Sequence, residues 1–200
     1  MRRSLFALLT VIALVSLGVM TGCDRTQTLR VVTVNHGALY DCDIADWWLF
    51  VDPLTKDSEE VYSMKDDTVP VELQYVEVGP GLPTWTPYQA IANKATITYK
   101  SSDPTITYDN VTIPLSVSVP ADQSGKKTTK FALAVVPLWW KEKYFDGDVS
   151  DPTSNGIIDV VNATIKITAT DSISGEERQA TGYLQIEVAD FQDDPRVIGR

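Results

Sequence analysis

The chain is short of histidine, cysteine and positive charge, and each shortage removes a class of function. His36 is the one histidine in 200 residues. A multi-histidine metal site cannot be built within one such chain, and any Ser-His-Asp or Cys-His arrangement would run through that single imidazole. Cysteine occurs twice, as Cys23 and Cys42, too few for a disulfide framework. Lys and Arg number 17 against 27 Asp and Glu, a formal net charge of -10. With Arg2 and Arg3 assigned to a leader, 15 basic residues face the same 27 acids, a charge of -12. No basic stripe offsets this, so repulsion from phosphate argues against nucleic-acid binding, and attachment to an anionic membrane must be covalent or very local. Eleven Gly and eleven Pro are too few for a collagen-like or low-complexity chain. Beyond Arg25 no amphipathic helical stretch reaches about ten residues.

What the chain does have begins at its amino end. Arg2 and Arg3 form a positive segment, and Leu5 to Met20 are apolar apart from Thr10 and Ser16. Met20-Thr21-Gly22-Cys23 follows, and it resembles the lipobox of bacterial lipoproteins, in which small residues precede a cysteine. The resemblance implies a leader over 1–22, cleavage before Cys23, a diacylglycerol on the Cys23 thiol and an acylated new amino group. Several acyl chains on one residue anchor durably, since each buried methylene contributes about 0.8 kcal/mol. Met20 stands where Leu dominates in that family, and Asp24 resembles an inner-membrane retention signal of enteric bacteria. Two alternatives stay open: an uncleaved helix over the uncharged run Ser4 to Cys23, or an ordinary signal peptide with an incidental cysteine. With Cys23 lipidated, Cys42 has no intramolecular partner, and its setting in Tyr40-Asp41-Cys42-Asp43 favours a buried side chain over a reactive thiol.

Past a short tether at 23–27 the chain alternates with period two. Val161, Ala163, Ile165, Ile167 and Ala169 share one face, opposite Asn162, Thr164, Lys166, Thr168 and Thr170. Turn residues Asp171 to Gly175 lead to a return strand with Ala180, Gly182, Leu184, Ile186 and Val188 inward, which predicts a hairpin. Val111, Ile113, Leu115, Val117 and Val119 alternate as cleanly, with Pro114 on the polar phase, so an edge strand or a bulge is expected. Ala95, Ile97 and Tyr99 mark another strand. Val69, Val71 and Leu73 mark one more, with a bulge expected near Tyr75, where the phase shifts to Val76 and Val78. Leu29 to Val34, Trp47 to Val51 and Phe131 to Val136 are apolar on both phases, which suits strands covered on both faces. The pattern predicts an all-β chain: one Ig-like antiparallel β-sandwich over 28–191, of about seven to nine strands. A helical signal segment precedes it and a polar tail, 192–200, follows.

The runs Asp66-Asp67-Thr68-Val69-Pro70-Val71 and Ala95-Thr96-Ile97-Thr98-Tyr99-Lys100 resemble a group of bacterial lipoproteins with a single Ig-like sandwich. Thr170-Asp171-Ser172, Ala180-Thr181-Gly182-Tyr183 and Ala189-Asp190-Phe191 fit the same group. The resemblance implies a fold and an address in the cell envelope, and carries over no catalytic residue.

Three sets of residues are candidates for chemistry. From Asp151 the acidic loop partly matches a calcium loop, with Asp151, Thr153, Asn155 and Asp159 as ligands and Gly156 at the sharp turn. Position twelve is Asn162 rather than a bidentate Glu, and the alternative is a solvated loop. Trp47, Trp48, Trp139 and Trp140, with Trp85, could form an aromatic platform for pyranose rings. The alternative is that one member of each pair fills the core while the other shields an edge. His36, in Asn35-His36-Gly37, reads as a turn at a strand end. The functional expectation is a non-catalytic binding or assembly module, lipid-anchored and facing the periplasm or the exterior. Its partners are the membrane through Cys23 and envelope proteins or glycans. The alternatives are a carbohydrate-binding sandwich and a hydrolase with a carboxylate site that the sequence does not reveal.

Overall fold

Alternation of apolar and polar side chains fixes which face of each strand turns inward, and the computed structural model shows the outcome for residues 26–78, 89–122, 124–145 and 156–190. Its strands are β1 (Thr26–Val34), β2 (Tyr40–Asp43), β3 (Asp46–Val51), β4 (Ser58–Ser63), β5 (Asp67–Val78), β6 (Gln89–Ser101), β7 (Val111–Pro120), β8 (Thr129–Val136), β9 (Gly156–Asp171) and β10 (Glu177–Asp190). One helix, α1 (Leu138–Phe145), joins β8 to β9. Eight strands form two facing sheets, ordered β1-β5-β8 and β2-β10-β9-β6-β7, and β3 pairs with β4 as a separate ribbon. The leader, residues 23–25, the stretch from Pro80 to Pro87 and the tail lie outside the described residues.

The chain is an all-β sandwich. Its strand order follows the Ig-like scheme, with β1, β5 and β8 in the places of A, B and E, and β6, β7, β9 and β10 in those of C, C′, F and G. One pair departs from the antiparallel pattern: β2 runs parallel to β10, Tyr40 opposite Ile186 and Asp43 opposite Ala189. The cause lies in Asn35-His36-Gly37. All three have positive φ, at 47°, 55° and 78°, and Asn35 Nδ2 donates to the Leu39 carbonyl at 2.9 Å. Asn, His and Gly tolerate that left-handed region better than most residues. The turn carries the chain from one sheet to the other without reversing its direction.

The predicted hairpin forms, with Glu177 opposite Thr170 and Val161, Ala163, Ile165, Ile167 and Ala169 all buried. Pro114 is exposed on β7, the edge of the five-stranded sheet, opposite Lys94 and next to a register shift between Ala92 and Lys94, so the strand is both an edge and irregular at this point. The bulge expected near Tyr75 does not occur there. Tyr75 continues the inward phase of Val69, Val71 and Leu73, fully buried, and the extra residue is Val32 in β1, between the pairs Val31–Leu73 and Thr33–Glu72. A tyrosine can hold an inward position because its ring packs while its hydroxyl finds a partner. Nor are β1 and β8 covered on both faces: Val32 and Ala132 are exposed.

Between the sheets, β1 packs on β10 at Gly182. A Cβ there would lie 2.8 Å from methyl groups of both Val31 and Val34, so only glycine permits this approach. Among the described residues no helix is long and apolar enough to cross a membrane.

Candidate functional site

Helix α1 organises one end of the sandwich. It begins after Pro137, whose fixed φ suits a helix start. Two consecutive aspartates at the head of β5 reach it. Asp66 Oδ1 accepts a hydrogen bond from the Leu138 N–H at 2.7 Å, meeting one of the helix's unpaired amides. Asp67 Oδ2 lies 2.9 Å from Lys141 Nζ, one turn further along. The pair is enclosed: Lys141 is 1% exposed and Asp67 6%. Lys141 Nζ also donates to the Asp43 carbonyl at the end of β2.

Other groups surround this pair. Burial first, and then the neighbouring Asp67 carboxylate, push the Tyr40 phenol well above the ordinary tyrosine range. Cys42 is fully buried beside them. Burial first and Asp67 second drive its thiol upward, although Lys141 pulls the other way. The thiolate is therefore suppressed, which makes Cys42 a packing residue. A cavity of about 190 Å³ adjoins the cluster, lined by Tyr40, Asp41, Asp43, Ile44, Asp46, Ser63, Lys65, Asp67 and Lys141. It has the size and polarity for a small polar molecule, with a buried ammonium and carboxylate side by side as fixed recognition groups.

Helix α1 also carries aromatic residues beside Lys141. Trp140, 1% exposed, packs against Tyr99 at 5.0 Å and Tyr108 at 4.7 Å between ring centroids, with Tyr144 and Phe145 from its own helix. In many Ig-like domains the core tryptophan sits on strand C; here it arrives from the helix between E and F. Its indole Nε1 has no hydrogen-bond partner among the described residues. Tyr99 Oη donates to the Val135 carbonyl at 2.7 Å, and Tyr108 Oη to Asp159 Oδ2 at 2.7 Å.

The sequence candidates are placed as follows. Cys23, Asp151, Thr153 and Asn155 lie outside the described residues. Asp159 is the fourth residue of β9, buried, and its second oxygen accepts from Ser102 Oγ at 2.9 Å. Burial works against its ionisation, but the hydroxyls of Ser101, Tyr108 and Ser102 outweigh that and hold the carboxylate ionised at lower pH than usual. Both oxygens thus already serve protein donors that bind the loop after β6 to β9. Among the described residues no group of three or more His, Cys, Asp or Glu side chains is arranged to hold a metal ion.

Trp47 and Trp48 pair with Tyr62 and Val61 across the β3–β4 ribbon; their side chains lie outside the description. Trp139 is 46% exposed while Trp140 is core, so this pair divides between surface and interior instead of forming one platform. His36 is exposed in its turn, as expected.

Sequence reading missed the Lys141–Asp67–Tyr40 cluster. A lysine in Leu138-Trp139-Trp140-Lys141, amid large apolar side chains, was the available signal, and its partner lies 74 positions away. Comparison with protein-family models, with curated proteins and with solved structures finds no match to this chain.

Proposed function

We propose that this chain is a lipid-anchored extracytoplasmic module of a bacterial envelope that binds or assembles with partners and does no catalysis. The observation that carries the reading is the succession Arg2-Arg3, apolar Leu5 to Met20, then Thr21-Gly22-Cys23. The fold supports it in a specific way. β1 begins at Thr26, three positions past Cys23, a reach of roughly 10 Å when extended. A lipidated Cys23 would therefore hold the Thr26 end of the sandwich beside the headgroups. The cavity at Lys141 and Asp67, near the far ends of β2 and β10, would then face away from the bilayer, free to meet a soluble ligand or a neighbouring protein.

The test is fractionation. The wild-type chain should partition with membranes and the Cys23→Ser variant should not be lipidated or cleaved at that position. A wild-type chain recovered in the soluble fraction would overturn the reading. A carbohydrate-binding role draws support from Trp139, whose exposed ring suits a pyranose face. Titration of cell-wall glycans against Trp139→Ala and wild type separates this from protein binding: the glycan role requires affinity that the variant loses.

A further inference from the structure

We propose that the end of the sandwich where β1 starts is a membrane-contact surface, seated on anionic lipid headgroups through Lys126, Lys127 and Ile173. The seat depends on the lipid anchor at Cys23 proposed above and adds to it a second, non-covalent contact. Two turns build it. Asp122 accepts from the backbone N–H groups of Lys126 and Lys127, which closes the turn before β8, while both lysine side chains stay exposed. Asp171 accepts from those of Ile173 and Ser174, which closes the β9–β10 hairpin and presents Ile173 at 58% exposure. Tyr75 ties the turns together: its carbonyl accepts the Asp122 N–H at 2.9 Å and its hydroxyl donates to Asp171. The start of β1 lies at the same end, where Arg178 Nη2, just past the hairpin turn, donates to Gln27 Oε1 at 2.9 Å.

Turn chemistry does not call for these three side chains. Asp, Ser and Gly supply the geometry, through Asp122, Ser124 and Gly125 in one turn and Asp171, Ser174 and Gly175 in the other. Charge then distinguishes the two ends of the molecule. In a chain of net charge -10, Lys126 and Lys127 stand side by side, and the one acid of their turn, Asp122, is buried. Arg178 is paired with Glu176 and Lys130 with Glu72, so Glu177 is the exposed acid that remains at the hairpin turn. At the α1 end Asp41, Asp66, Asp103 and Glu142 are all exposed. Headgroups that attract the first end therefore repel the second.

Such attraction acts within a Debye length of ~8 Å, and two lysines with one isoleucine would hold a bilayer only weakly from solution. The tether changes that. Attachment through residues 23–25 makes the second contact intramolecular, at high effective concentration, so a weak patch suffices. The domain is then seated on the membrane instead of swinging on its anchor, with the cavity at Lys141 and Asp67 held outward.

The experiment uses the full-length lipidated protein in vesicles of phosphatidylcholine and phosphatidylglycerol. Flotation establishes attachment. A fluorophore is placed at Ser172→Cys, beside Ile173, or at Glu142→Cys on α1, the native Cys42 being buried. Quenching by aqueous acrylamide should be several-fold weaker at position 172 than at position 142. Combining Ile173→Asp with Lys126→Glu and Lys127→Glu should make the two positions equal while the protein still floats. Equal quenching in floating protein without those three substitutions would overturn the proposal and leave the lipid anchor standing. Shielding that persists with all three substitutions would overturn it too, since the tether alone would then cause it. Wild-type protein that fails to float would remove the anchor and the seat together.

Discussion

The two ends of the sandwich hold their buried carboxylates by different means. At the end where β1 starts, Asp171 accepts from the backbone N–H groups of Ile173 and Ser174, two and three residues on, and from Tyr75 Oη. Asp122 accepts likewise from the amides of Lys126 and Lys127 and from Ser124 Oγ. These are turn devices, mostly local, and they close the β9–β10 and β7–β8 connections. At the α1 end, Asp67 answers Lys141 and Asp159 answers Tyr108 and Ser102, partners from distant parts of the chain. The first end is built for closure of loops. The second holds together separate elements around a cavity, and its polar groups have more to lose when one partner is removed.

The largest predicted effect follows from that asymmetry. Lys141→Ala leaves the Asp67 charge buried and uncompensated, and denaturant unfolding should show a loss of about 3–5 kcal/mol from that charge alone. Replacing both partners with apolar residues should recover part of it. Gly182→Ala comes next, in the interface between β1 and β10: forcing a methyl into contact with Val31 and Val34 should lower stability by about 1–3 kcal/mol, read from the same unfolding curves.

At the turn end the effect is a pH dependence. Hydrogen bonds from the Lys127 amide, the Ser124 hydroxyl and the Lys126 amide hold the Asp122 carboxyl well below the usual carboxylate range. Burial tends to raise that of Asp171, but the Ser174 amide, Tyr75 and the Ile173 amide outweigh it and hold it low. Depressed folded-state values mean stabilisation that is complete above the unfolded aspartate value near about pH 4 and disappears as pH falls through the folded values. Melting temperatures of wild type and Asp122→Asn should therefore differ at neutral pH and converge in acid. The smallest effect is expected at Lys143, whose exposed pairing with Asp109 is screened by solvent: Lys143→Ala should leave the melting temperature unchanged.

The same contrast explains what could be read from the sequence. Strands with one buried face announce themselves by alternation, so β9, β10 and β7 were legible, as were the turns at Asp171 and at Asn35-His36-Gly37. Val76 and Val78 misled, because their apolar side chains suggested a change of phase where Tyr75 in fact keeps the inward one. The parallel strand β2 was hidden, since four residues of mixed polarity carry no periodic signal. Helix α1 is too short to show one, and its lysine is surrounded by aromatic residues that suit a strand equally well. Most of the polar contacts at that end were invisible for a further reason: a pair 74 positions apart is made by topology, and no local pattern records it.

Mass spectrometry of the mature amino terminus tests the central claim most directly. The account predicts a first residue at Cys23 carrying diacylglycerol on sulfur, with residues 1–22 gone. A chain that retains Met1 to Gly22 and a free Cys23 thiol would contradict it.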